Sequence, residues 1–361
     1  MQEIKSVQDL EVQGKRVLLR ADFNVPVKDG KVVDDARIQA ALPTIKLLLE
    51  RGAAKVIVLT HMGRPEGKAE DALRVAPVLA RLRELVDSSN IEMLENLRFD
   101  AREDANDQSF AQELAAQGDV YINDAFANSH RAHASMVLLP TLLPSAAGLG
   151  LLNEVEHLQS ALVPPKGALA VIGGAKFETK IPLFTKLMGV YGELLLGGAL
   201  ANDMLKARGY PVGGSVVSNQ PVPPLLAEDE RIKLPTDLIV GDVEQKAERS
   251  TLVNDIRVNE RAVDIGPLTA LAWAKKITEA PFVLWNGPMG VYEDGFIDGT
   301  LLLAKALVEG KAKAVVGGGD TAAALSSMKF DPERIFVSTG GGAMLQFLAD
   351  GTLPAIEALK N

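Results

Sequence analysis

The stretch "RVLLRADFNVPVKDGKVVDDARIQAALPTIKLLLERGAAKVIVLT" (16–60) sets the fold class. It opens on a short apolar run, RVLLR at 16–20, and closes on another, KVIVLT at 55–60. Between them ARIQAALPTIKLLLERG (36–52) has apolar residues at helical spacing and stops at Gly52. Strand, helix and strand in that order make a βαβ unit, with two parallel strands under a covering helix. The same alternation continues with a helix around 74–86, a strand at 91–94, a helix around 108–117 and a strand at 119–123. It pauses at 140–167, where one helix, about 148–162, precedes a Pro-Pro-Lys-Gly turn. Strands resume at 168–172, 193–197, 237–240, 282–285, 312–316 and 334–338. Helices fall near 179–190, 200–208, 267–278, 298–309, 320–327 and 342–350, and the Pro-, Gly- and Val-rich segment 211–235 has the weakest pattern. The pattern predicts two α/β domains, with the helix at 148–162 as the connector.

Composition narrows the function. The chain has 361 residues, enough for two domains, and 47% of them are hydrophobic, enough for sizeable cores. With no cysteine, a disulfide framework, a thiolate metal cluster and a cysteine nucleophile are all excluded. The N-terminal MQEIKSVQDL lacks the apolar core of a secretion signal, and no apolar run approaches a membrane span. A cytoplasmic protein is expected. A net charge of −9 argues against a nucleic-acid binder.

Four strand ends of the second domain run into glycine: VIGGAKFETK (171–180), LLGGALAND (195–203), VVGGGDTAA (315–323) and VSTGGGAML (337–345). Glycine lets backbone approach a ligand, and the helix that follows points its free amides at it. Tight strand–helix packing would also use glycine, but four such ends at strand carboxyl termini predict one anion-lined edge. The loops match neither the P-loop nor the dinucleotide fingerprint. Lys176 and Lys180 share a helical face if their stretch is helical, which suits a polyphosphate. Asp320 reads either as a helix N-cap or as a carboxylate holding Mg²⁺ against phosphates. In FVLWNGPMGVYEDG (282–295), Asn286 lies in a turn and Glu293 is placed to accept ribose hydroxyls. Trp285 and Tyr292 read as packing aromatics or as an adenine stack.

The first domain carries cations at its strand ends instead. LRADFNVP (19–26) offers Arg20, Asp22 and Asn24; Arg37 opens the next helix; THMGRP (60–65) offers His61 and Arg64; ENLRF (95–99) offers Arg98. NDAFANSHRAHAS (123–135) adds Asp124, His130, Arg131 and His133. Zinc needs three or four converging ligands, and four histidines in the whole chain make that site unpromising. No G-x-S-x-G elbow marks a serine hydrolase. Arg131 is therefore an anion grip, Asp124 orients its neighbours, and His133 is structural. Several arginines on loops after strands suit a small acidic, phosphorylated substrate.

RADFNVP, ARIQAALPTI, HMGRP, ENLRF, YINDAF with HRAHAS, GGAKFETKI, LWNGPMGVYE, GGGDTAA and STGGGA together resemble the phosphoglycerate kinases, in family order over about 17–343, and the late LPAIEALK resembles the family's ending. The resemblance implies two Rossmann-like domains, each a mainly parallel sheet flanked by helices, facing a central cleft. It places a 3-phosphoglycerate-binding domain at 1–147, completed by the tail 352–361, a connecting helix and hinge at 148–165, and a nucleotide-binding domain at 166–351. It implies reversible Mg²⁺-dependent phosphoryl transfer, ATP + 3-phospho-D-glycerate = ADP + 1,3-bisphosphoglycerate, by a monomer.

Carried over by motif, the substrate side is Arg20, Asp22, Asn24, Arg37, His61, Arg64, Arg98 and Arg131. The nucleotide side is Lys176, Lys180, Asn286, Glu293, Gly319, Asp320 and Thr321, with Asp320 as the metal ligand. Arg37, Lys176 and the amides of Gly340, Gly341 and Gly342 fall to the transferring group. Ala127, Asn128 and Ser129 stand where the family has Gly, Thr and Ala; Phe177, Glu178 and Thr179 replace Val, Ser and Asp; and GGALANDM replaces GGGMANTF. Three rivals remain: another ATP-dependent kinase acting on a carboxylate, a nicotinamide oxidoreductase, and a non-catalytic nucleotide-binding protein.

Overall fold

A computed structural model describes residues 4–242 and 248–360. The chain divides into two compact units, Met1–Glu156 with Thr352–Asn361, and His157–Gly351. The division falls inside the helix Leu149–Leu162.

The first unit holds β1 (Arg16–Arg20), a two-residue hairpin of β2 (Val27–Lys28) and β3 (Lys31–Val32), β4 (Lys55–Leu59), β5 (Ile91–Met93), β6 (Val120–Asn123) and β7 (Ser145–Ala147). Its five-stranded sheet runs β5-β4-β1-β6-β7, and every pairing in it is parallel. β1 pairs in register with both neighbours, Leu18 lying beside Ile57 and Tyr121. Flanked by strands on both sides and helices on both faces, it must be apolar throughout, which the run Val17-Leu18-Leu19 satisfies. Helix Ala36–Glu50 buries Ile38, Ala41, Ile45 and Leu48, spaced at three and four residues, in a core shared with Val17, Leu19, Val56 and Val58. Helix Pro354–Ala358 belongs to this unit: Ala355 packs with Ala125 and Met136, and its amide donates to the Ser129 carbonyl at 3.1 Å.

The second unit holds β8 (Leu169–Ile172), β9 (Glu193–Leu196), β10 (Ile232–Lys233), β11 (Asp237–Asp242), β12 (Glu248–Leu252), β13 (Glu260–Ile265), β14 (Phe282–Asn286), β15 (Lys313–Gly317) and β16 (Ile335–Val337). Six of these form an all-parallel sheet in the order β10-β9-β8-β14-β15-β16. Taken in chain order within the sheet, this is the Rossmann arrangement, and the first unit's sheet follows it over five strands. Trp285, Val171, Val283 and Val316 centre the core.

One expectation is corrected here. The segment at 237–240 does not enter the parallel sheet. It is part of a separate antiparallel sheet, β12-β11-β13, over a small core of Leu205, Leu238, Val240, Val253 and Ile256. Its outer strand, Glu-Arg-Ser-Thr-Leu, is mostly exposed, as an antiparallel edge with one wet face allows. The stretch 140–167 also holds more than the one expected helix: a turn of helix at Leu139–Leu142 and strand β7 precede it. Among the described residues no helix is long and apolar enough to cross a membrane.

In each parallel sheet the chain builds one way from the first strand and then the other. The reversal falls between β1 and β6 in the first unit and between β8 and β14 in the second. Ligands of open α/β sheets bind at the carboxyl ends of the strands at such a reversal.

Candidate active site

In the first unit, the loops leaving β1, β4, β5 and β6 hold the predicted cations. Asp22, just past β1, accepts from Arg37 Nη1 at 2.6 Å and so fixes the guanidinium that opens the next helix. Asn24 Oδ1 accepts from the Gly63 amide at 3.0 Å, and Arg98 Nη1 donates to the Gly63 carbonyl at 3.0 Å. These two bonds hold the His61–Arg64 loop from both sides. Asn96, which the sequence reading passed over, does more. Its Oδ1 accepts from the amides of Met62 (3.2 Å) and Arg98 (3.1 Å), and its Nδ2 donates to the carbonyls of Met62 (2.8 Å) and Leu73 (3.1 Å). The signal was an Asn one residue before a short helical turn, Leu97–Phe99.

His61 is buried, and its Nδ1 has no hydrogen-bond partner among the described residues. Burial pulls its pKa far below the ordinary imidazole value, and Arg20, Arg98, His133 and Arg131 push the same way. Three guanidinium groups, with His133 beside them, therefore act on one point. Burial likewise lowers the Arg98 guanidinium, opposed by Asp104 and reinforced by Arg131 and Arg20. Among the described residues neither Arg64 nor Arg131 pairs with a carboxylate. A concentration of positive charge with unpaired guanidinium groups is arranged for an anion.

Arg20 departs from the expected contact role. It is 1% exposed, and its guanidinium donates to Ser135 Oγ at 3.0 Å and to the Ala21 carbonyl at 2.7 Å. Ser135 in turn bonds buried Glu103 through its amide at 2.9 Å and its hydroxyl at 2.5 Å. Burial raises the Glu103 carboxyl, while Arg20 and Ser135 draw it back. His133 matches its structural reading: Nε2 lies 3.3 Å from Asp104 Oδ1, and burial pushes the ring down to about 4. His130 and His133 do not share a helical face, since His133 is extended and precedes a π-helical turn at Ala134–Leu138. Among the described residues no group of three or more His, Asp or Glu gathers as a metal cage. Asp124 is half-buried against the start of the connecting helix, its Oδ1 accepting from the Leu151 amide at 3.0 Å.

In the second unit, the glycine loops meet backbone to backbone. A Cβ on Gly173 would lie 2.0 Å from the Pro288 carbonyl, one on Gly198 2.7 Å from the Gly174 amide, and one on Gly287 2.6 Å from the Gly173 carbonyl. Gly341 packs against Gly318 in the same way, at 3.1 Å. These loops belong to β8, β9, β14, β15 and β16, so the strand ends converge on one edge. The packing reading holds for some of the glycines, whereas Gly174 and Gly319 face open space.

Helices Phe177–Met188, Gly198–Ala207, Gly319–Ser326 and Gly341–Asp350 start here, and among the described residues none has a side chain accepting from its first amides at the cap position. Elsewhere Asp100 and Asp107 cap theirs. First-turn amides of this kind, Gly341 and exposed Gly342 among them, can donate to an anion.

Lys176 is exposed and precedes its helix in the left-handed region, at φ 63°. It is therefore not a helical neighbour of Lys180, whose Nζ donates to the Ala175 carbonyl at 2.5 Å. Asp320 is not an N-cap either; Gly318 holds that position, and Asp320 stands exposed in the first turn. Thr321 is fully buried, its hydroxyl accepting from the Gly287 amide at 3.1 Å and tying the turn after β14 to the helix; Asn286, expected in that turn, is instead the last residue of β14. Asn286 is buried with Nδ2 unpaired among the described residues. Trp285 lies in the core, its Nε1 donating to the Gly287 carbonyl at 2.9 Å, and Tyr292 packs against the same core. The packing reading of both aromatics stands.

Beside this edge is a cavity of about 390 Å³. Gly174, Gly198 and Pro288 form its strand-end side, Val216, Leu238, Ala262 and Val263 its apolar side, and Glu293 and Asp320 its acidic rim. Its size and its apolar wall with few polar groups are those of a small-molecule site.

Comparison with known proteins gives one answer. A family model described as phosphoglycerate kinase matches residues 7–93 and 86–351. The chain is 42% identical to the phosphoglycerate kinase of Roseiflexus sp. (strain RS-1), covering 99% of each. It superposes on the phosphoglycerate kinase structure from Coxiella burnetii with a TM-score of 0.87 at 36% identity, covering 99% of both chains. It superposes on that from Pyrococcus horikoshii OT3 with a TM-score of 0.82 at 30% identity, covering 99% of this chain and 98% of the other.

Proposed function

The chain belongs to the phosphoglycerate kinase family, and from its two strand-reversal sites we propose how its residues divide that family's reaction. The reaction is reversible phosphoryl transfer, ATP + 3-phospho-D-glycerate = ADP + 1,3-bisphosphoglycerate. A carboxylate oxygen of the acid attacks the γ-phosphorus, and the bond from that phosphorus to the bridging oxygen of ADP breaks. The acid is already ionised at neutral pH, so no general base is required. What remains is positioning and charge neutralisation.

The contrast between the two reversal sites carries the assignment. One gathers arginines, of which Arg64 and Arg131 pair with no carboxylate among the described residues; the other offers a glycine-walled cavity under uncapped helix ends. Arg64, Arg98 and Arg131 hold the phosphorylated acid, with His61 beside them. Asp22 and Asn24 position Arg37 and the 61–64 loop. Arg20 holds its neighbours from within the core. Arg37 neutralises charge on the acceptor side; Lys176 and the amides of Gly341 and Gly342 do so on the donor side, that of Gly340 being given to Ser338 Oγ at 3.3 Å. Fixed donors of this kind are worth several kcal/mol each, to order of magnitude. The cavity takes the nucleoside, with Glu293 on the ribose, Lys180, Asn286 and Gly319 toward the phosphates, and Thr321 holding the turn after β14.

Mg²⁺ belongs to the same proposal. Asp320 is exposed on the cavity rim and makes no ion pair among the described residues, which suits an ion that takes one protein carboxylate and keeps phosphate oxygens and water. When bound, the ion would neutralise charge on the nucleotide phosphates. A monomer in the cytoplasm completes the reading; light scattering on the purified protein checks the oligomeric state.

A coupled assay tests the whole. Turnover with 3-phosphoglycerate and ATP is expected with Mg²⁺, is expected to vanish with EDTA, and is expected to be absent with acetate or aspartate as acceptor. Arg131→Ala is expected to raise the KM for 3-phosphoglycerate at least about tenfold and leave that for ATP unchanged. An unaltered acid KM removes Arg131 from the anchor.

A further inference from the structure

Asp264 is the penultimate residue of β13, beside the cavity, and neither motif nor resemblance singled it out. It is 5% exposed and lines the cavity wall. Its Oδ1 accepts from the Ile265 amide at 2.8 Å, and its Oδ2 accepts from the Gly299 amide at 2.9 Å. Gly299 is in the first turn of helix Asp298–Glu309, so the carboxylate bridges a strand and a helix start. The turn that follows β14 lies against it. A Cβ on Gly290 would come within 2.6 Å of Asp264 Cγ, and the Val291 amide donates to the Val263 carbonyl at 2.8 Å. Gly290, Val291 and Glu293 are themselves cavity lining. The side chain that joins β13 to the helix thus also sets where this wall stands.

We propose that Asp264 is a positioning residue for nucleotide binding, acting as a strut that fixes the Gly290–Glu293 wall of the cavity. The inference rests on the reading of that cavity as the nucleoside site. An acidic side chain suits the joint because the two amides come from different elements and reach separate oxygens, Ile265 on Oδ1 and Gly299 on Oδ2. Asparagine keeps the shape but turns one acceptor into a donor facing an amide. The wall then shifts without the phosphate-facing residues being touched.

Steady-state kinetics of Asp264→Asn tests the strut. The KM for ATP is expected to rise about tenfold, with kcat and the KM for 3-phosphoglycerate within about twofold of wild type. A folded Asp264→Asn with an unchanged ATP KM overturns the proposal. Gly290→Ala disturbs the same joint from the other side. If Asp264→Asn does not fold, Gly290→Ala decides by the same KM split. Ala262→Trp, which fills the cavity, separates the two layers of inference by ADP titration. Loss of ADP binding in Ala262→Trp with normal ATP KM in the Asp264 and Gly290 variants sinks the strut alone. Normal ADP binding in Ala262→Trp sinks the cavity assignment, and the strut with it.

Discussion

Lys176 pays a backbone cost to stand where it does. A side chain at φ 63° is disfavoured by about 1 kcal/mol, and the glycines before it show that the loop had the cheaper residue available. Lys176→Ala is expected to lower kcat by two orders of magnitude or more in the coupled assay. Lys176→Gly should lose the same activity yet melt about 2–4 °C above Lys176→Ala, because only the backbone strain separates the two. Wild-type kcat in either variant removes the lysine from the chemistry. The place of such a residue was legible: a cation on a glycine-rich loop after a strand has few packing uses, and Lys176 stands exposed there. Arg20 was not. Its burial depends on Ser135, 115 positions along the chain, and on Glu103 beyond it, partners that no local pattern announces. Asn96 was quoted within its motif and missed, since four backbone bonds from one amide leave no trace in spacing.

The glycine strand ends make opposite demands on substitution. Gly173→Ala places a methyl 2.0 Å from the Pro288 carbonyl, so it is expected to lower the unfolding free energy by about 3 kcal/mol or more in denaturant titration, or to prevent folding. Gly319→Ala meets nothing within 4 Å and should leave stability within about 0.5 kcal/mol while raising the ATP KM. Equal stability of the two variants contradicts the packing described here.

The connecting helix gives a pH-dependent counterpart. Burial pushes the Asp124 carboxyl up to about 6, against about 3.9 for an unfolded chain. The folded state then binds that proton more tightly than the unfolded one. Its contribution to stability is greatest at about pH 4, declines to about pH 6 and is flat above, by up to about 3 kcal/mol. Relative to Asp124→Asn, wild type should be more stable at pH 4 than at pH 6.5 in urea titrations; a pH-independent difference contradicts this. At this level the parallel sheets were readable, because a strand buried on both faces must be an unbroken apolar run such as Leu169–Ile172. The antiparallel sheet was not, because Glu248–Leu252 mixes charge, hydroxyl and one leucine and is fixed as a strand only by its pairing to β11.

Each unit has its own core and its own strand reversal, so ligand binding should separate between them. Deleting 352–361 removes Ala355, Ile356, Ala358 and Leu359, all buried, from the first unit. Calorimetric titration of the truncated chain is expected to show loss of 3-phosphoglycerate binding with ADP binding retained. Retention of both, or loss of both, argues against that separation. The division into two α/β units followed from the alternation of elements and from the pause near 148–162. Which unit would claim residues 352–361 did not follow from spacing, because a short apolar helix fits many surfaces; the resemblance alone pointed to it.

That helix also fixes an order of events in the cell. Residues 157–351 are synthesised before 352–361, so the first unit emerges from the ribosome early and then waits, with the surface around Ala125 and Met136 uncovered, until the whole second unit has been made. A nascent chain halted anywhere before Thr352 should therefore expose a binding place for chaperones that the released protein no longer shows.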